Sequence, residues 1–103
     1  MISCNDLTAM SSEAVDIVTR GRGEDYGHPE DCFATIATLW KAYLDVRFDG
    51  VDLDLQAIDV ARLMQLLKLA RRIVAPHPKK DSFVDAIGYV LCEAQCETEE
   101  LQC

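Results

Sequence analysis

The sequence predicts an all-α protein, a compact bundle of about four helices in which the first helix is short. Four segments place apolar residues at helical spacing, and no run alternates apolar and polar residues for long enough to form a strand. Half of the 103 residues are apolar and only three are proline, which is typical of a folded chain. We expect a single domain over residues 1–103, with frayed tails at about 1–10 and 96–103.

The first two helices are predicted from their end signals. The first helix runs from an N-cap at Ser12 to a C-terminal glycine at Gly21, which makes it about three turns long. The second helix begins at Pro29, because the first helical position tolerates a residue without an N–H group. Its apolar residues share one arc, so this helix should pack against the core along a single stripe.

The third helix is predicted to start after an aspartate N-cap, Asp52 or Asp54, and to end at Val74 because Pro76 restricts the residue before it. Its apolar residues form a wide arc that we expect to face the core, and two charged residues, Asp59 and Arg71, fall inside this arc. A charge on a core-facing stripe needs a partner. The arc is also wide for three other helices to cover, which predicts a homo-oligomer. The arc consists of Leu63, Leu66, Leu67, Ala70, Ile73 and Val74.

The fourth helix is predicted to begin at Asp81 or the next residue, and it carries a second carboxylate, Asp85, one turn later. Two carboxylates at this spacing repel each other, and a Mg²⁺ ion between them would remove the repulsion. Asp59 is a further candidate ligand for this metal. The alternative is that Asp81 caps the helix and that Asp85 pairs with Lys68 or Arg71.

The segment before the second helix resembles a place where a protein holds a phosphate. Arg22 and His28 surround glycines that allow close approach of the backbone, and the free N–H groups that follow Pro29 attract anions. Tyr26 can stack on a base or fill the core. The alternative is a helix C-cap at Gly21 followed by a solvated turn.

The charge balance limits the partners of this chain. Eighteen acidic residues against ten basic ones give a net charge of -8, which argues against general nucleic-acid binding because an acidic surface repels phosphates. No export signal or membrane-spanning run is present in the sequence. We therefore expect a cytoplasmic protein with no membrane partner.

Four strings of the sequence stand out together: YGHP from Tyr26, LWKAYL from Leu39, DVARLMQLLKLAR from Asp59 and KDSFVDAIGY from Lys80. They resemble a family of small uncharacterised proteins of tailed bacteriophages and prophages. The resemblance covers roughly Arg22 to Tyr89. More distantly, the helical layout and the D-x-x-G-Y string look like the all-α nucleotide pyrophosphohydrolases that include MazG.

The resemblance to the MazG group implies cleavage of nucleoside triphosphates between the α and β phosphates, with Mg²⁺ held by helical acids. It implies that Asp85 is a metal ligand, Asp59 a second one, and Lys68 or Arg71 a phosphate contact. The chain departs from that group's usual E-x-x-D pattern, because Asp81 and Asp85 are spaced by four residues.

The sequence thus predicts a phage-type protein that binds a nucleotide or another phosphate-rich small molecule, with Mg-dependent pyrophosphohydrolysis as a possible activity. One alternative is a binding module that sequesters a host nucleotide signal without cleaving it. The other is an acidic helical protein that binds and inhibits a host protein.

Overall fold

The computed structural model describes residues 1–21 and 29–97, and this part of the chain forms four α-helices and no strand. The all-α prediction is therefore confirmed, and the first helix is the shortest, with 13 residues. A π-helical turn, Ile17–Gly21, continues the first helix. The helices are α1 (Cys4–Asp16), α2 (Pro29–Arg47), α3 (Ala57–Val74) and α4 (Lys80–Cys96).

Helix α1 begins at Cys4, well before the predicted start at Ser12. A capping box fixes this start: the backbone N–H of Asp6 donates to the Ser3 hydroxyl at 3.1 Å, and the Asp6 carboxylate accepts from the backbone N–H of Ser3 at 3.3 Å. These bonds satisfy N–H groups that the first turn leaves without a partner. The predicted helix start at Ser12 is therefore wrong. Fraying of the two tails stays a prediction, and residues 98–103 of the second tail lie outside the described part.

Helix α3 begins after Gln56, not after Asp52 or Asp54. The carboxylate of Asp59 accepts a hydrogen bond from the backbone N–H of Gln56 at 2.9 Å. An acid at the third helical position of a capping box stabilises the start of a helix in this way. The partner that Asp59 needs is thus its own N-cap.

The other described boundaries agree with the sequence prediction to within one residue. Helix α2 begins at Pro29, α3 ends at Val74, and α4 begins at Lys80. Ala75, the residue that follows α3, has the extended backbone expected before a proline. None of the described helices has the length and hydrophobicity that crossing a membrane requires.

The hydrophobic core lies where α4 packs against the three other helices. Val60, Ala61 and Val84 are almost fully buried, and the rings of Phe33 and Tyr89 lie 6.2 Å apart. This arrangement makes α4 the central element of the bundle. The core cluster contains Val18, Phe33, Ala37, Val60, Ala61, Tyr89 and Cys92.

The wide apolar arc of α3 does not face this core, so that part of the sequence prediction is wrong. The buried Ala61 and the partly buried Gln65 and Lys68 lie on the other side of the helix. The small side chain of Ala61 lets α3 approach its neighbours closely, and Gln65 and Lys68 find partners on α4. The exposed fractions along the arc are Leu63 42%, Leu66 60%, Leu67 42%, Ile73 73% and Val74 78%.

Candidate functional site

Two of the residues that the sequence singled out meet between α3 and α4. The Lys68 Nζ atom lies 2.9 Å from Oδ2 of Asp85, and the Lys68 side chain is only 15% exposed. Arg62 pairs with Glu93 further along, at 3.1 Å, so the two helices run antiparallel. The structure thus matches the alternative in which Asp85 pairs with a basic residue, since an ammonium group neutralises its carboxylate.

The three carboxylates predicted to hold Mg²⁺ do not form one cluster. Asp59 caps the start of α3, about 13 Å along the helix axis from the level of Lys68 and Asp85. Asp81 is exposed in the first turn of α4, where the helix dipole favours an acid. Within residues 1–21 and 29–97, no three His, Cys, Asp or Glu side chains are grouped so that they could hold a metal ion.

The residues predicted to contact phosphate do not form one group in the described part of the structure. Lys68 is committed to Asp85, and Arg71 is exposed in the last turn of α3. Arg22, Tyr26 and His28 lie outside the described residues, so the anion site before α2 stays a prediction.

Basic residues are concentrated in one part of this acidic chain. Residues 60–80 contain six of the ten basic residues and no acid. This segment covers most of α3, the following loop and the first residue of α4. Any local attraction for phosphate groups should therefore be strongest where α3 ends and α4 begins. The six residues are Arg62, Lys68, Arg71, Arg72, Lys79 and Lys80.

A groove lies next to this basic segment, between α1 and the start of α4. Its volume is about 520 Å³, within the range typical of small-molecule sites. Its surface is mainly apolar, with lysines on one side. We call it the α1–α4 groove; it is lined by Ile2, Asp6, Leu7, Ala9, Met10, Pro78, Lys79, Lys80 and Phe83.

The start of α4 gives the groove an anion-accepting edge. Lys79 is the N-cap of α4 and makes no side-chain capping hydrogen bond. Its carbonyl accepts from the backbone N–H of Ser82 at 3.2 Å, which leaves the first two N–H groups of the helix, those of Lys80 and Asp81, to meet an anion. The Lys80 Nζ atom lies 3.0 Å from Oε2 of Glu13. Hydrogen bonding to Glu13 raises the pKa of Lys80, so Lys80 stays charged but is partly neutralised. Lys79 is therefore the better phosphate contact.

An aromatic ring completes the groove. Phe83 is 43% exposed, and the guanidinium carbon of Arg72 lies 5.5 Å from the ring centroid. This is the geometry of a cation–π contact. Among the described residues, the buried Nη1 atom of Arg72 has no hydrogen-bond partner.

Sequence reasoning missed this groove because it assigned residues 1–10 to a frayed tail. The signal that could have revealed α1 is the S-x-x-D pattern at Ser3 and Asp6, which has the spacing of a capping box. With α1 extended to Cys4, Leu7 and Met10 lie on a helix that faces the start of α4.

The comparisons with known proteins place the chain in a phage family. A Gene 55 protein of Mycobacterium phage D29 is 34% identical over 90 residues, which cover 87% of this chain and 54% of the relative. A Gene 55 protein of Mycobacterium phage L5 is 38% identical over 76 residues, which cover 74% of this chain and 44% of the relative. The chain thus spans about half the length of the curated relatives it matches.

No solved structure matches the chain significantly. Both relatives are phage proteins, and they confirm the resemblance to a phage protein family. The family model described as a domain of unknown function, DUF6378, matches residues 9–97, and the chain belongs to this family.

Proposed function

We propose that this protein binds a nucleotide, or a similar phosphate ester with a flat ring, in the α1–α4 groove and that it does so in the cytoplasm of the bacterial host. One observation carries the proposal: an apolar groove with an exposed aromatic ring opens beside the most basic segment of a chain whose net charge is -8. Ligand pockets combine apolar walls with a few polar groups in this way.

The two ends of the groove suit the two ends of a nucleotide. The base stacks on the exposed part of the Phe83 ring, an interaction worth roughly 1–3 kcal/mol per base. Arg72 lies close to that ring and adds a positive charge beside the base. The phosphates lie at the first turn of α4, where the Lys79 side chain and the backbone N–H groups of Lys80 and Asp81 supply hydrogen-bond donors.

We propose that Mg²⁺ binds together with the phosphates of the ligand. Mg²⁺ is commonly bound by one or two carboxylates together with substrate phosphates, and it keeps several waters. Asp81 is the carboxylate next to Lys80 at the start of α4 and is the residue we assign to such a shared ion. The distant resemblance to MazG-like enzymes supports a nucleoside triphosphate as the ligand. The proposal is for binding, because no described group of three acidic side chains converges as an enzyme of that type would use.

The test is a binding panel with matched aromatic variants. Nucleoside mono-, di- and triphosphates and cyclic dinucleotides are titrated with and without Mg²⁺, by thermal shift and calorimetry. Phe83→Leu should weaken the best ligand about 5- to 100-fold if the base stacks there. Phe48→Leu is the control, because Phe48 is similarly exposed at 49% and carries Arg47 over its ring at 4.7 Å, outside the groove.

A second variant tests the phosphate end of the groove. Lys79→Ala should weaken triphosphates more than monophosphates, since each added phosphate increases the electrostatic attraction that the lysine supplies. Binding that Phe83→Leu and Phe48→Leu reduce equally would exclude the groove. A panel without any response would reject nucleotide binding, and release of pyrophosphate from a bound triphosphate would extend the proposal to hydrolysis.

A further inference from the structure

The outer face of α3 is the largest run of exposed apolar side chains on one helix. Four of its residues, Leu63, Leu66, Ile73 and Val74, are between 42% and 78% exposed. Apolar patches of this kind are rare on the free surface of a monomer unless they serve an interface. The α1–α4 groove is not lined by any of these apolar residues. Arg72, the residue of α3 that lies beside the groove, packs over the Phe83 ring, so the apolar face has no part in the proposed ligand site.

We propose that a second copy of the chain covers this face, with the two α3 helices packed antiparallel about a two-fold axis near Leu66. Leu66 lies at the middle of α3, which runs from Ala57 to Val74. An axis at the middle of the helix buries the whole apolar arc of both copies. It also forms a self-complementary contact, as a two-fold dimer requires.

The charges at the two ends of α3 favour a second copy over an unrelated partner. The end of α3 carries the exposed Arg71, whereas Asp59 lies in its first turn and the exposed Asp54 lies just before it. Antiparallel packing brings the basic end of each helix next to the acidic end of the other, and the two-fold axis repeats this contact. Antiparallel packing also places the positive end of each helix dipole beside the negative end of the other, which is favourable. A parallel pair would bring like charges together at both ends.

The oligomeric state in solution tests whether a second copy binds and whether it binds at the outer face of α3. By sedimentation velocity over about 1–200 μM, a range in which weak association becomes visible, the wild type should reach twice the 11.5 kDa mass of the chain. Leu66→Asp should remain a monomer throughout this range. Val90→Asp is the matched control and should still dimerise, because Val90 is similarly exposed, at 50%, but lies on α4.

Cysteine cross-linking tests the antiparallel geometry. Leu66→Cys should form a disulfide-linked dimer on mild oxidation beyond any background of the parent chain, because the two copies of this residue meet at the axis. Val74→Cys should not cross-link, since antiparallel packing separates its two copies by about 24 Å along the helix axis. Parallel packing would let both variants cross-link.

Each result decides one step. A wild type that stays monomeric at 200 μM would overturn the second copy as occupant and leave the face to a different protein, such as a host protein. A dimer that Leu66→Asp leaves intact would overturn the choice of face. Efficient cross-linking of Val74→Cys would overturn the antiparallel arrangement. Nucleotide binding by monomeric Leu66→Asp would show that the ligand site does not depend on the dimer.

Discussion

The two interfaces of α4 differ in chemistry. Towards α3, α4 presents Asp85 and Glu93, and both carboxylates are paired with basic or polar side chains. Towards α1 and its π-helical turn, it presents Val84 and Gly88 against mainly apolar side chains around a cavity of only about 20 Å³, which Asp85 also borders. The first interface depends on charge balance and the second on volume. Mutations and pH should therefore affect the two interfaces in different ways.

The largest effect is expected from Asp85→Asn at the charged interface. The change leaves the ammonium group of Lys68, which is only 15% exposed, without its neutralising carboxylate. Breaking a buried pair costs about 3–5 kcal/mol, and since the Asp85 side chain is 32% exposed we expect a loss of about 2–3 kcal/mol in the free energy of unfolding. Urea denaturation measures this loss.

Two controls separate pairing from other roles of Asp85. Asp81→Asn makes the same change at an exposed position one turn earlier and should cost less than about 0.5 kcal/mol. Replacing both members of the pair, with Lys68→Met and Asp85→Leu, should restore most of the lost stability. If Asp85→Asn instead left the stability of the metal-free protein unchanged and abolished stabilisation by Mg²⁺, Asp85 would be a metal ligand and the pairing interpretation would be wrong.

The charged interface should also respond to pH, through Glu93. Its carboxylate accepts hydrogen bonds from Gln65 at 2.6 Å and from Arg62 at 3.1 Å, and these bonds lower the pKa of Glu93. A lowered pKa means that Glu93 contributes stability above its unfolded pKa, about 4.3. This contribution is lost as the pH falls through the lower, folded value.

The comparison of wild type with Glu93→Gln isolates this effect. At pH 7 the wild type should be more stable by about 1 kcal/mol, the usual net value of such hydrogen bonds. At about pH 3, below the unfolded pKa, the difference should be smaller, because the unfolded carboxylate is then protonated and folding must displace its proton. A difference that stays constant between these pH values, measured by chemical denaturation at each, would show that the charge of Glu93 does not stabilise the interface.

The sequence predicted the bundle more accurately than the faces of its helices. Pro29 and Pro76 marked two helix ends correctly, because proline restricts the backbone whatever surrounds it. The orientation of α3 could not be predicted in the same way. An apolar arc normally faces the core of its own chain, but the arc of α3 is the more exposed one, and periodicity within the helix does not reveal this.

The site residues show the same limit. Helical spacing put Asp81 and Asp85 on one face of α4, yet the position of Lys68 across the interface decides what Asp85 does. Asp59 looked like a charge in need of a partner, and a local capping bond to Gln56 satisfies it. Sequence spacing gives the neighbours of a residue within its own helix, whereas its partners on other helices depend on tertiary packing.

The apolar interface between α4 and α1 gives the smallest expected effect and the only gain in stability, from Gly88→Ala. A methyl group at Gly88 would lie 3.6 Å from Cγ2 of Val18, an ordinary van der Waals distance. Alanine inside a helix is more stable than glycine by about 0.5–1 kcal/mol, and the methyl group would occupy part of the small cavity. We expect the melting temperature to rise by about 2–8 °C.

Gly50→Ala is the matched control for this gain. Gly50 has a φ angle of +86° and open space around it, so alanine there is strained although nothing contacts it. The same substitution should therefore destabilise the loop at Gly50 and stabilise α4 at Gly88. If Gly88→Ala also lowered the melting temperature, α1 and α4 would have to approach more closely than 3.6 Å allows, and Gly88 would be required for packing. If it raised the melting temperature, the tolerance of this interface for added volume would contrast directly with the sensitivity of the α3 interface to a single charge.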